Sequence, residues 1–278
     1  MVTSTELSAQ DAASMVEADF LRELLKKELD FSREEHDGYL YNQDSNMISN
    51  EDRMALIDWC YGIVDHCRYS RETVALAIEM VDRFMFLSNE TVSSDDDAIN
   101  SNVSDEIRSD KFKYQLLTVT ALYVAIKINE STVVSSDLFA DICREAYTKK
   151  EIEDMERILL SVLSWRCRAP TALQIGQTIL SLIFLHSGMP DEICDLLADE
   201  MKYQTELAVR DSYFSTRRPS TVAVAAILYA IQNTIIEEHE DQAKVLESFV
   251  WVVIESFNLD GKKRIFEAAE RFNNSSDR

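Results

Sequence analysis

A chain of 278 residues with 46% hydrophobic content holds more than one small core requires, enough for one large domain or two of ordinary size. Only five Gly and three Pro, with few β-branched runs bounded by turn residues, exclude a sheet-rich protein and predict an all-helical one with short connections. The formal net charge of −22 and pI of about 4.5 disfavour direct binding to nucleic acid or an anionic membrane. Such acidity suits either a soluble partner with a basic face or solubility alone.

Residues 1 to about 12 are polar and are expected to be disordered. From Ser14 to Phe31, Phe20, Leu21, Leu24, Leu25 and Leu29 recur among Lys and Glu as one amphipathic helix that should pack on the body. Within it Arg22-Glu23-Leu24-Leu25 matches a minimal Arg-x-x-Leu degradation signal, which a buried helix would not present. Between Glu51 and Phe86 two helices meet at a tight polar turn. The first carries Leu56, Trp59, Cys60, Ile63 and Cys67 on one face. The second starts at Ser70, with Glu72 and Thr73 in its opening turn, and repeats Val74, Ala77, Ile78, Val81 and Phe84. Arg53 at the mouth of the first stripe and Asp82 inside the second either form a buried pair or sit solvated at stripe edges.

From Asn89 to Asp110 the chain turns acidic and polar, with Asp95-Asp96-Asp97 and hardly a large apolar residue, which predicts a mobile insertion. Ser93 and Ser94 precede acids and are either phosphate acceptors or part of a plain solvated loop. A third helix, Lys111 to Asn129, is apolar all round and therefore central. A short helix near Ser136 to Glu145 follows, then a longer one from Thr148 to Leu163, opened by a Thr148/Glu151 capping box. Glu156 interrupts the stripe of Ile152, Met155, Leu159 and Val162. Lys127 stands near the C-terminal end of the third helix, where a cation also suits the dipole.

After Pro170 the order repeats. Helices are predicted over Thr171 to Leu185, Asp191 to Arg210, an Ala-rich one opening at Pro219, Gln242 to Phe257 and Gly261 to Phe272. The five cysteines, Cys60, Cys67, Cys143, Cys167 and Cys194, lack Cys-x-x-Cys spacing and read as small core residues in a reducing compartment. No leader-like segment opens the chain, and no apolar run approaches the roughly 20 residues needed to span a bilayer. The expected setting is nucleus, cytoplasm or both. His36, His66, His186 and His239 are scattered without companion ligands, and phosphate-binding and nucleophile motifs are absent. No catalytic residue, metal site or cofactor is therefore predicted. Asp58 and Asp82 are better explained by helix packing than as a carboxylate pair.

Arg53-x-x-Leu56-x-Asp58-Trp59, then Ala75-Leu76-Ala77-Ile78 and Asp82-Arg83-Phe84, resembles the opening of the cyclin box. The similarity runs on through Tyr147-Thr148-Lys149-Lys150-Glu151-Ile152 and Met155-Glu156 to Ala169-Pro170-Thr171. The resemblance implies a cyclin-like fold of two five-helix repeats plus an N-terminal helix. It divides the chain into a tail and flanking helix over residues 1–50, a first repeat over 51–168 containing the acidic insertion 89–110, and a second, degenerate repeat over 169–278. It also implies a regulatory subunit of a cyclin-dependent serine/threonine kinase, forming a heterodimer in which Lys127 and Glu156 grip the kinase's regulatory helix. Ile128, Leu160 and Trp165 would supply the apolar surround. An internal Lys127–Glu156 ion pair is compatible with that role. Leu56 and Trp59 match part of a groove that docks substrate peptides, but Asp52, Ala55 and Gly62 depart from it, so docking is expected to be weak or altered. A helical scaffold that does not activate a kinase, and a DNA-binding transcription factor of the same fold, are the other readings. The acidic charge argues against the second of these.

Overall fold

The computed structural model describes residues 9–31, 48–87, 106–107, 109–132, 134–144, 146–234, 240–259 and 261–276. Among these the chain forms eleven α-helices and no strand. They are α1 (Ala9–Phe31), α2 (Asn50–Cys67), α3 (Glu72–Leu87), α4 (Lys111–Asn129), α5 (Ser136–Ile142), α6 (Lys149–Val162), α7 (Ala172–Ser187), α8 (Asp191–Arg210), α9 (Pro219–Thr234), α10 (Glu240–Ser256) and α11 (Lys262–Ser276). A single 3-10 turn, Phe214–Thr216, lies between α8 and α9. One N-terminal helix is thus followed by two successive sets of five. The chain divides into two compact units: one takes 33–169 and 208–216, the other 1–32, 170–207 and 217–278.

The unit holding α2 to α6 is built around α4. Every residue from Leu116 to Ile126 is buried, as all-round apolarity requires, and α3, α6 and α2 pack around it. Asp110 caps its start by accepting from the backbone N–H groups of Phe112 and Lys113 at 2.9 and 3.3 Å. The acidic insertion therefore ends earlier than its composition suggested. Ile107, one of its few apolar side chains, is buried in the core, because a single aliphatic group can anchor a polar stretch. Residues 88–105, including Ser93, Ser94 and Asp95 to Asp97, lie outside the described residues.

In α2 the face that faces inward differs from the expected one. The buried line runs through Arg53, Ile57, Cys60, Tyr61 and Val64, leaving Leu56, Trp59, Ile63 and Cys67 half-buried at its edge. Two apolar lines one residue apart both satisfy three-and-four spacing, and Arg53 selects between them. Its Nε and Nη2 donate to the two carboxylate oxygens of Asp82 at 3.3 and 2.8 Å, with both side chains under 5% exposed. Its Nη1 donates to the carbonyls of Val209 and Arg210 at 2.8 and 3.3 Å, two groups left without helical partners at the C-terminal end of α8. A Ser49/Asp52 capping box opens α2. Helix α3 begins at Glu72, and its start is held less by Ser70 than by Glu130, which accepts from the Ser70 backbone N–H at 3.0 Å and from the Thr73 hydroxyl.

In the other unit α9 occupies the place in its set that α4 has in the first, and Ser220 to Ile231 are all buried. Helix α1 starts at Ala9, earlier than predicted, with residues 1–8 outside the described residues. It packs on α7 through Leu21 and Leu24. Its Glu28 is buried and accepts from both the backbone N–H and the hydroxyl of Ser220, at 2.7 and 2.8 Å. A carboxylate thereby neutralises the N-terminal end of α9.

Arg53→Ala removes the guanidinium that faces the buried Asp82 carboxylate and should cost about 3–5 kcal/mol, whereas the double replacement Arg53→Met/Asp82→Leu should cost clearly less; urea midpoints of the two variants test the difference. The Thr148 backbone N–H holds the Glu151 carboxyl below its ordinary value of 4.5. A lowered folded pKa adds stability above the unfolded value, and that stability is lost as pH falls through the folded one. Thermal midpoints of the wild type should therefore fall over that acidic window more steeply than those of Glu151→Gln.

Candidate functional site

Lys127 lies where α4 leaves the core: Ile126 is buried, and the four residues after it are half-buried. Helix α6 is strongly amphipathic, burying Ile152, Met155 and Leu159 and exposing Glu151 and Arg157, with Glu156 on the border between the faces. The misfit of Glu156 in the stripe is resolved by an ion pair. The Lys127 ammonium bonds Glu156 Oε1 and also lies 4.3 Å over the ring of Tyr123, which in turn packs on Phe139 at 5.1 Å. The two side chains are 29% and 18% exposed, so one edge of the pair faces solvent.

The three residues expected to form the apolar surround differ in burial. Ile128 and Leu160 are half-buried and pack against the core. Trp165 is 76% exposed, the largest exposure among the described large apolar side chains. It follows the end of α6 on two successive residues in the left-handed region, Ser164 at φ 49° and Trp165 at φ 61°. Its backbone N–H bonds the Leu160 carbonyl at 2.9 Å. The structure thus joins Lys127 to Glu156 through side chains and Trp165 to Leu160 through the main chain.

The remaining motif residues fill other places. Asp58 is exposed and pairs with Arg210 at 2.9 Å, so Asp58 and Asp82 each have an arginine partner. Leu56 and Trp59 are half-buried against the core. Asp52 is engaged by Lys111 at 2.7 Å and by the α2 cap, and Ala55 adds no large apolar surface. Arg83 was not singled out by sequence: it is buried, pairs with Glu79 at 3.5 Å and donates to the carbonyl of Arg166. Its signal was a second charge, beside Asp82, in a run from Val81 to Leu87 that is apolar at its other positions.

Titratable groups in the core are tuned away from nucleophilic chemistry. Burial pushes the Cys60 thiol far up, with Cys143 adding to the effect, and raises Cys143 to about 11. Burial also raises Cys167, although Arg83 opposes it, and takes Tyr147 to about 12. A reactive cysteine needs the opposite shift. Among the described residues no group of three or more His, Cys, Asp or Glu side chains is placed to hold a metal ion, and no helix is long and apolar enough to cross a membrane.

Residues 19–168, more than half of the chain, match the family described as Cyclin, N-terminal domain. The chain is 29% identical to Cyclin-B2-2 of Arabidopsis thaliana over 68% of its own length and 37% of that protein. It is 26% identical to G2/mitotic-specific cyclin-A1 of Caenorhabditis elegans over 69% of its length and 34% of that protein, and 30% identical to Cyclin-A1-2 of Arabidopsis thaliana over 71% and 39%. It therefore spans well under half the length of these relatives. Its fold is similar to the X-ray structure of a viral cyclin from herpesvirus saimiri, with a TM-score of 0.58 and 15% identity, over 89% of this chain and 97% of that one.

Because the Lys127–Glu156 pair is partly solvated, Lys127→Ala/Glu156→Ala should lower stability by no more than about 1 kcal/mol and leave helicity unchanged, as circular dichroism melting can measure. A thiol reagent at mildly alkaline pH should label Cys67 and Cys194 in the native protein and reach the buried Cys60, Cys143 and Cys167 only on unfolding.

Proposed function

This chain belongs to the cyclin family, and from that premise we propose that it is the regulatory subunit of a cyclin-dependent serine/threonine protein kinase, which it binds and activates in cell-cycle control. The observation that carries this reading is the Lys127–Glu156 pair, held at the edge of a rigid core with a solvent-facing side. Ile128 and Leu160 lie half-buried, and Trp165 stands exposed after α6. Polar groups in that setting give register, and an exposed aromatic gives binding energy when a partner buries it.

The mechanism is a population shift. A kinase samples active and inactive placements of the helix whose Glu must meet its catalytic Lys, and a surface that binds only the active placement draws the equilibrium across. Moving such an equilibrium from 1:99 to 99:1 needs about 5.5 kcal/mol of differential affinity, which calls for an extensive interface, above roughly 2,000 Å² in total. Rigidity matters as much as area, and the continuous burial of α4 from Leu116 to Ile126 supplies it. The kinase brings all the catalytic groups and the nucleotide, so the chain needs no cofactor of its own. The complex works in the nucleus, the cytoplasm or both. Docking of substrate peptides through Leu56 and Trp59 is weak, because both side chains are already half-buried and Asp52 is committed to Lys111.

Capture of cyclin-dependent-type kinases by the purified protein, followed by a kinase assay on the captured material, tests the reading. Wild type should retain an active kinase, and Lys127→Ala/Glu156→Ala should lower its capture tenfold or more while folding normally. Capture with no activity, unaffected by the double substitution, would favour a helical scaffold instead and return the two charges to a structural role.

A further inference from the structure

The chain carries 50 acidic residues against 28 Lys and Arg, so its bases are outnumbered and most should find carboxylates nearby. Lys111, Lys113, Lys127, Lys149 and Arg157 do so. Arg166 and Arg168 do not: both side chains are exposed, and neither forms an ion pair among the described residues. The carboxylates that act on Cys167, which lies between them, are Glu79 and Glu156, and these are already engaged by Arg83 and Lys127. Among the described residues, then, these two exposed guanidinium groups form no ion pair.

Their presentation is fixed by the backbone. The left-handed pair Ser164 and Trp165 carries a conformational cost that only surrounding contacts can hold in place. Ser164 N–H bonds the Ser161 carbonyl at 3.0 Å, Trp165 N–H bonds Leu160 and Arg166 N–H bonds Leu163, both at 2.9 Å. The buried Arg83 guanidinium then clasps the Arg166 carbonyl. Beyond this knuckle Cys167 and Ala169 are buried while Arg166 and Arg168 are exposed, the alternation of an extended strand. Alternation puts both arginines on one outward side, their Cα atoms roughly 6.6 Å apart.

We propose that Arg166 and Arg168, flanking the exposed Trp165, form a specificity element that selects a partner presenting an extended acidic segment with carboxylates two residues apart. The partner's identity as a kinase rests on the function proposed above, while the preference for an acidic segment rests on the loop itself. Each guanidinium takes one carboxylate in a two-pronged hydrogen bond, and the exposed Trp165, next to Arg166 in the chain, packs against the adjoining part of the segment. Because both arginines are exposed, the interaction acts through association rate and choice of partner, and salt weakens it.

Two measurements on the full chain test this. The first compares kinase capture by wild type and Arg166→Glu/Arg168→Glu as ionic strength rises. A tenfold or greater loss at low salt that narrows at high salt supports the proposal, and equal capture with equal salt dependence overturns it while leaving the kinase reading intact. The second titrates a peptide of alternating Glu and Leu into the isotopically labelled protein and follows the Trp165 indole N–H signal. A shift seen in wild type and abolished by the charge reversal supports the proposal, and no shift overturns it. If wild type captures no kinase, the function proposed above fails and the peptide titration alone decides the acidic preference. Matching melting temperatures of wild type and variant exclude loss of fold as the cause.

Discussion

The fold of the first unit depends on one buried guanidinium. Arg53 donates to both carboxylate oxygens of Asp82 and to two carbonyls at the end of α8, and is 2% exposed. A hydrophobic residue of similar volume would pack there, but it would leave the carbonyls of Val209 and Arg210 without donors and would make no distinction between the two apolar lines of α2. An ion pair of this kind adds little net stability once desolvation is subtracted. Its value here is register: only one rotation of α2 brings Arg53 to Asp82, and that rotation sets which residues line the core and which remain at the edge. The half-buried state of Leu56 and Trp59 follows from this choice and from no local preference of their own.

The acidic composition also has a structural use that net charge alone conceals. Asp52, Asp110 and Glu151 each accept from a backbone N–H at or near the start of their own helix, and Glu130 and Glu28 reach from elsewhere in the chain to do the same for α3 and α9. A helix N-terminus carries about half a positive charge, so each of these carboxylates meets a fixed partner. Bases such as Lys111, Lys113, Lys149 and Arg157 pair with surface carboxylates. Arg166 and Arg168 form no ion pair among the described residues, and the loop that carries them is tied down by main-chain bonds and by Arg83.

Features were legible in sequence where the cause is local. The bounds of α4, the Thr148/Glu151 capping box and the order of the two five-helix sets follow from periodicity, cap residues and Pro and Gly placement, which act over a few residues. Ser49-x-x-Asp52 is a cap signal just as local as Thr148-x-x-Glu151. Features set by distant partners were not legible. The Glu28 contact spans 192 residues and the Glu130 contact 60, and nothing beside either residue announces it. The inward face of α2 was ambiguous because two lines fit one period. The left-handed backbone at Ser164 and Trp165 contradicts the usual preference of both residue types, and it exists only because neighbouring carbonyls and Arg83 impose it. Lys127 and Glu156 were visible as misfits and as a possible internal ion pair, while the placing of the Lys127 ammonium over the ring of Tyr123 required the fold.

That pairing constrains any partner at the site. In the free chain the ammonium and the carboxylate satisfy each other, so a partner offering one charge would leave the other desolvated and unmatched, at a cost larger than one surface contact returns. A partner that offers both a donor to Glu156 and an acceptor to Lys127 avoids this penalty, and backbone or side-chain groups at the end of a helix present such a combination. An exposed Trp165 without the pair would bind apolar surfaces indiscriminately, and the pair without Trp165 would bind weakly in salt. If the site binds a kinase as proposed, selectivity arises from the combination: the aromatic contributes affinity, the ion pair rejects surfaces that match only one of its charges, and the continuously buried α4 keeps Lys127 from adjusting to a poor fit.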